Sequence, residues 1–337
     1  MIHIPLIRAN VIHGVITLLQ QLDAPTESLL AEAKLPASIL HDPEVLLPLK
    51  QVLQFIENTA LKEGMEQFGL LAGQKAQVAN LGALGRLLSH SLTLYDAVDT
   101  LIRLVPSYNS GDRIWLNQQG ENVWLCRRFI NNFETDHPQA IHYSLMLLIN
   151  LIQLAAGLCW MPTEIHLTTP HSWSLVEMEL FSNTKILFNQ DETAIIVPKN
   201  LLNLPLHNFD EYDEQQRNQD YEILYSSTRS TNFATLIRQI IGIELKQGYP
   251  KIQSTAEILG ISVRSFQRQL NKCNLTYSHL VEQVRFELAT QLLRDPTNKV
   301  TDIAAEIGYK DVGNFTRAFK RWAGVSPRAY LGLAEKG

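Results

Sequence analysis

Cysteine is scarce in this 337-residue sequence. Cys126, Cys159 and Cys273 are the only three, far apart and without a C-x-x-C spacing. That excludes a disulfide framework and a thiolate zinc site, and it fits a reducing compartment. Also missing are H-E-x-x-H, G-x-S-x-G and the glycine-rich phosphate loop. Ten histidines are present, but His137 and His142, like His166 and His171, are five apart, so neither pair shares a helix face as i, i+4 residues would. Residues 1–230 therefore offer no nucleophile or metal constellation, and no catalysis, cofactor or metal is expected. The first residues, MIHIPLIRANVIHGV, lack a basic run leading into an apolar core, so no secretory signal is expected. The longest apolar stretch, 145–161, contains Asn150 and Gln153 and is shorter than the roughly 20 residues a bilayer span needs. It reads as a buried helix, and the chain as a cytoplasmic protein without a membrane segment.

What charge there is lies unevenly. Residues 231–337 hold 15 Lys and Arg against 9 Asp and Glu, a net of +6, while residues 1–230 hold 14 against 25, a net of −11. A basic segment attached to an acidic one suggests an anionic partner, nucleic acid being the commonest. Length also favours two domains. Residues 49–64 carry apolar residues at helical spacing and end at Gly64. After Tyr108 the period shortens: DRIWLNQQGENVWLCRRF reads as two strands around a turn, and 163–169, 185–188 and 194–198 read as further strands. We therefore expect an α+β domain over 1–205 and a polar linker over 206–230. An all-α DNA-binding domain should follow over 231–337, with two helix-turn-helix units joined by a long helix.

The last domain contains a repeat. STAEILGISVRSFQRQL (254–270) and TDIAAEIGYKDVGNFTRAF (301–319) each hold a short Ala/Ile/Glu helix, a glycine corner, and a second helix bearing Phe and, two residues on, Arg. Gly260 and Gly308 stand where a left-handed turn residue is needed. Ser254 and Glu257 have capping-box spacing, and Ser262 can cap the second helix. Two such hairpins in tandem are far more specific than one. At 100° per residue, Phe315, Ala318, Phe319 and Trp322 share one face of the later helix. Gly313, Thr316, Arg317 and Lys320 share the opposite face, with Asn314 and Arg321 at its edge. In the earlier copy, Val263, Phe266 and Leu270 group together, and Arg264, Gln267, Arg268 and Asn271 project away. The aromatics are core anchors. The projecting side chains are types that read base edges in the major groove. Between the copies, 277–295 has an apolar stripe. Its roughly 17 helical residues span about 25 Å, enough to hold two reading helices about one duplex turn apart.

IAAEIGYKDVGNFTRAFKRWAGVSPRAYL resembles the C-terminal signature of AraC/XylS-type transcription regulators. The resemblance runs through Ile303, Ala304, Gly308, Tyr309, Phe315, Arg317, Phe319, Lys320, Gly324, Ser326, Pro327 and Tyr330 and covers about 235–332. It implies base contacts from Arg264, Gln267 and Arg268 in the first unit and from Val312, Gly313, Thr316 and Arg317 in the second. Val312 and Gly313 depart from the polar readers members often carry there, so weaker readout is expected from the second unit. FGLLAG (68–73), 81–101 and 181–198 resemble the arabinose-binding-type effector domain of the same regulators. The resemblance implies a sequence-specific regulator of promoter DNA, responding to a small molecule of unassigned class. It also implies a homodimer and a contact with RNA polymerase. An N-terminal domain that only dimerises, or an enzyme fused to a DNA-binding module, is the alternative.

No residue is singled out as an effector ligand. Cys126-Arg127-Arg128 could contact an anion, although alternation along an edge strand more simply turns one of the arginines outward. Trp115, Trp124 and Trp160 could line a pocket, although packing is the commoner role.

Overall fold

The computed structural model describes residues 4–35, 37–40, 42–130, 137–206, 212–230, 233–245, 248–295 and 298–334. The chain divides into two compact units, 4–228 and 229–337.

The first unit opens with β1 (Leu6–Arg8), α1 (His13–Gln21) and α2 (Thr26–Glu32), then β2 (Leu46–Pro48), α3 (Leu49–Glu63), α4 (Phe68–Lys75), α5 (Gly82–Ser89) and α6 (Leu94–Tyr108). β1 and β2 pair antiparallel. α3 stops at Gly64, which takes the left-handed conformation, and α6 starts at a Thr93–Asp96 capping box. The hairpin β3 (Asp112–Gln119) and β4 (Asn122–Phe129) follows, then α7 (Pro138–Ala156), β5 (Glu164–His166), α8 (Trp173–Val176), β6 (Lys185–Leu187) and β7 (Thr193–Pro198). The five longer-range strands form one mixed sheet in the order β3-β4-β7-β5-β6, with β5 and β6 parallel. The expected α+β architecture, helices first and strands later, is what forms.

α7 is the apolar stretch noted above. It is long and apolar enough to cross a membrane by composition alone, but Leu145, Ile149 and Ile152 are fully buried in this unit's core. Its close neighbour is α4, and the reason is glycine. A Cβ on Gly69 would stand 2.0 Å from the Gln139 carbonyl oxygen, and one on Gly73 would stand 2.4 Å from Met146 Cβ. Two hydrogens in place of methyls let the helix backbones approach.

The segment expected as a linker contains α9 (Glu214–Ser230), and this helix is fastened to the first unit. Arg86 grips Asp220 through Nε at 2.9 Å and Nη2 at 2.5 Å, and the Tyr212 hydroxyl donates to the same carboxylate at 2.9 Å. Arg8, 2% exposed, donates to the Ile223 carbonyl at 2.7 Å, and Leu224 is fully buried. The sequence read as polar connection because a single helical face, Asp220 and Leu224, carries the docking, while 213–219 are exposed. Residues 207–211 of that expected linker lie outside the described residues.

The second unit is helical: α10 (Phe233–Leu245), α11 (Ile252–Ile258), α12 (Val263–Lys272), α13 (Tyr277–Leu293), α14 (Val300–Glu306), α15 (Val312–Ala323) and α16 (Pro327–Ala334). α11/α12 and α14/α15 are the two expected hairpins. Gly260 (φ +67°) and Gly308 (φ +78°) occupy their corners in the left-handed region, as the turn requires. One expectation fails locally. α11 begins after Lys251, so Ser254 lies within its first turn and no capping box forms. Ser262 does cap α12, accepting from Ser265 N at 3.2 Å, and Asp311 caps α15, accepting from Asn314 N at 2.7 Å.

Candidate nucleic-acid interface

Each reading helix is held by a buried face. On α12 this face is Phe266 and Leu270, 0% and 2% exposed; on α15 it is Phe315, Ala318 and Phe319. Phe319 packs edge-on against Phe315 and Tyr330 at 5.7 and 5.5 Å between ring centres, and Phe286 of α13 meets both Phe319 and Trp322. Burying one such ring stabilises by roughly 1.5–3 kcal/mol, so rotating either helix about its axis is costly. The opposite faces are therefore fixed in direction.

On α12, Arg264, Gln267, Arg268 and Asn271 are all exposed. None of the four side chains forms a hydrogen bond or ion pair with a described residue. Four polar side chains with no internal partner on one side of a rigid helix form a surface whose donors are satisfied only by solvent or a ligand. On α15, Gly313, Asn314, Arg317, Lys320 and Arg321 are exposed, and Val312 and Thr316 are half-buried. Here three of the readers, Asn314, Arg317 and Arg321, are engaged within the protein. Arg317 Nη2 donates to Asn314 Oδ1 at 2.5 Å, and Arg321 Nη2 donates to Glu282 of α13 at 2.7 Å. That ion pair is solvent-exposed and worth roughly 0–1 kcal/mol. The Lys320 side chain makes no bond with a described residue. Nine of the eleven sequence-selected residues are thus exposed, four in α12 and five in α15, while Thr316 is half-buried and Val312 packs against the hydrophobic cluster of this hairpin.

Residues not singled out from the sequence hold these hairpins in shape. Arg285 of α13 is 6% exposed. Its Nε donates to the Ile307 carbonyl at 3.1 Å and its Nη2 to the Gly308 carbonyl at 3.0 Å, closing the end of α14 and the turn behind it. Its guanidinium lies 4.3 Å from the Tyr309 ring centre and 5.0 Å from that of Tyr249. The signal for it is positional: Val281, Arg285 and Ala289 recur at i, i+4 in the stripe that otherwise reads as apolar. In the first hairpin the buried Thr255 hydroxyl donates to the Glu244 carboxylate, and the Tyr277 hydroxyl donates to Thr255 Oγ1 at 2.6 Å. That chain ties α10, α11 and α13 together.

Two sequence models match the chain: the arabinose-binding domain of AraC transcription regulators over residues 24–206, and a helix-turn-helix domain over 255–332. The chain belongs to the AraC family of transcription regulators. Over 334 residues, 96% of either protein, this AraC-type chain is 21% identical to the HTH-type transcriptional regulator VirS of Mycobacterium tuberculosis. Over 82 residues it is 35% identical to the ornithine utilization regulator of Pseudomonas aeruginosa, a match covering 24% of each protein. Among solved structures, the transcriptional regulator CdpR from Pseudomonas aeruginosa is 20% identical, with 78% of this chain and 86% of that one covered and a TM-score of 0.35. The AraC-type assignment describes a DNA-binding regulator of transcription and not an enzyme.

Elsewhere in the first unit, Arg127 is inward and Arg128 outward. β4 is not an edge strand: it lies between β3 and β7, so its inner face meets the helices. Trp115 and Trp124 are half-buried at the sheet, with Trp124 donating to Gln119 and its ring tilted at 37° to that of His166, 4.4 Å between centres. Among the described residues, no group of His, Cys, Asp or Glu is arranged to hold a metal ion.

Proposed function

We propose that α12 and α15 enter successive major grooves of promoter DNA, with Arg264, Gln267, Arg268 and Asn271 of α12 supplying most of the sequence discrimination. Val312, Gly313, Asn314, Thr316, Arg317, Lys320 and Arg321 of α15 act mainly as grip. The observation that carries this is the α12 face: four exposed side chains without a partner among the described residues, on a helix pinned from behind by Phe266 and Leu270. On α15, Val312 and Gly313 offer no side-chain donor, and Arg317 and Arg321 are already engaged within the protein.

The first unit, on this reading, binds a small-molecule effector, and the chain acts as a cytoplasmic homodimer that contacts RNA polymerase at the promoter. Effector binding shifts the population between states of different DNA affinity. This requires that the ligand bind one state better than the other.

The test is Arg268→Ala, compared on a DNA site selected in vitro and on random duplex. A bidentate base contact predicts a loss of roughly 1–3 kcal/mol confined to the selected site, with relaxed preference at one base pair. Equal loss on both duplexes makes Arg268 a phosphate contact and refutes the assignment.

A further inference from the structure

Inside the first unit lies a cavity of about 90 Å³, walled by α3, α5, α6, α7 and the inner face of the sheet. Its lining is almost wholly aliphatic, with Val52, Leu84, Leu101 and Leu148 among the side chains facing it. At one place the wall is ionic. Arg127, 4% exposed, donates through Nε to Asp112 at 2.8 Å, and its guanidinium lies 3.9 Å from the centre of the Phe129 ring. The sheet register explains the pairing. Arg127 stands opposite Ile114, so Asp112, two residues back on the same face, is its diagonal neighbour. The Nε bond is the only hydrogen bond that the Arg127 side chain makes with a described residue, and its two terminal nitrogens have none. A nine-tenths-buried guanidinium with donors left over, in the wall of an apolar cavity, is a costly arrangement unless something accepts from them.

We propose that this cavity is the effector site, and that the effector is a compact apolar molecule whose one carboxylate or carbonyl oxygen head accepts from the terminal nitrogens of Arg127. The proposal rests on the effector reading given above. Size follows from volume: at roughly 10–15 Å³ per water-sized sphere, about 90 Å³ holds roughly six to nine such spheres, the scale of a six-carbon chain or one aromatic ring with its head. Composition sets the polarity. A sugar brings a hydroxyl on nearly every carbon, and the polar residues of this wall are few: Arg127, Asp112, Asn109, Tyr108, Ser144 and Tyr143, whose hydroxyl already donates to the Val11 carbonyl at 2.5 Å. Tyr108 is already committed, donating to Asn10 at 2.6 Å. The Asp112–Arg127 pair is neutral as a unit, so the unmet need is for a hydrogen-bond acceptor. Either a carboxylate or an amide head meets it, and a charge-assisted bond from guanidinium strengthens both.

The experiment is thermal unfolding of the full chain with hexanoate, hexanamide, benzoate, benzamide and L-arabinose. A saturable rise in Tm with at least one of the first four, and none with arabinose, is expected. Two variants locate the effect. Asp112→Leu combined with Arg127→Met replaces the buried pair by apolar side chains, which leaves folding intact in many proteins, and should abolish the rise. Val52→Phe fills the cavity from α3 and should also abolish it while the pair remains. If none of the four stabilises the chain, or if the rise survives in both variants, the site assignment is overturned. The same ligands are then tested on affinity for the selected DNA site. A ligand that binds in the cavity yet leaves DNA affinity unchanged upholds the site and refutes the effector reading. A metabolite that alters DNA affinity without needing Arg127 does the reverse.

Discussion

Replacing Arg285 by methionine should loosen the second helix-turn-helix while sparing the first. Methionine keeps the unbranched stem that packs in the α13 stripe but removes the guanidinium. Two hydrogen bonds vanish, to the carbonyls of Ile307 and Gly308. Bonds from a charged donor are worth roughly 1.5–3 kcal/mol each when buried, and the Gly308 bond belongs at the low end because that residue is half-buried. The stacking on Tyr309 and Tyr249 adds roughly 0.5–1 kcal/mol, the smaller figure because Tyr249 is 60% exposed. Allowing for partial resolvation of the carbonyls, a loss of about 3 kcal/mol is expected. That is roughly a hundredfold in a local opening equilibrium. Its reach is set by the core. Ala289, Leu293, Ile303, Ala304, Ile307, Phe315 and Phe319 form a cluster of their own around α14 and α15. Amide hydrogen exchange on the full chain should show α14 and α15 exchanging roughly a hundredfold faster and α12 within a few-fold of wild type. Arg285→Lys, whose ammonium cannot span both carbonyls, should fall between. Equal acceleration in α12 and α15, or less than twofold in α15, would show that Arg285 is not what closes this turn.

Lys320→Ala should lower the salt dependence of DNA binding by about one unit of slope if Lys320 neutralises a phosphate; titrations at several salt concentrations check this, and an unchanged slope counts against the contact. Burial lifts the Glu57 carboxyl to about 7, against the pull of the Ala140 and Gln139 backbone N–H groups. The folded state then holds its proton more tightly than the unfolded state, so this group's contribution declines as pH rises from about 4.5 to about 7. Glu57→Gln, measured against wild type by denaturant unfolding, should gain about 1 kcal/mol between pH 5 and pH 8, the full shift being discounted because Glu57 is partly solvated. A flat difference refutes it. His142 carries the opposite sign: burial depresses it to about 4, so stability is lost as pH falls from 6.5 towards that value, and His142→Leu should flatten that limb of the acid profile. Gly69→Ala, which drives a methyl to 2.0 Å from the Gln139 carbonyl, should cost about 2 kcal/mol or more in the first unit, read as a drop in Tm.

The two hairpins were legible because their signals are local. Helical periodicity separates Phe315 and Phe319 from Arg317 and Lys320 without any knowledge of what lies behind the helix, and a glycine at a tight corner is a requirement of backbone sterics. Where the sequence misled, the deciding neighbour was distant in the chain. One of Arg127 and Arg128 read as the outward residue of an edge strand; Arg128 is outward, but the strand is not an edge, because nothing in NVWLCRRF announces that β7, some 70 residues later, pairs with its other side. Asp112 and Arg127 are adjacent only because an eight-pair hairpin register places them diagonally. Residues 213–225 read as linker because the docking rests on one buried carboxylate met by Arg86 and one backbone carbonyl met by Arg8, with Leu224 buried beside them.

Sequence by itself thus determined the class of each half, the two reading helices and which of their faces point outward. All of these follow from intervals of three, four and seven residues within one helix. Only the tertiary structure decided that Arg285 closes the second turn, that α9 belongs to the first unit, and that an arginine with unmet donors faces an apolar cavity. Each of those depends on which backbone carbonyl, strand or helix face arrives from elsewhere in the chain, and no local periodicity encodes that.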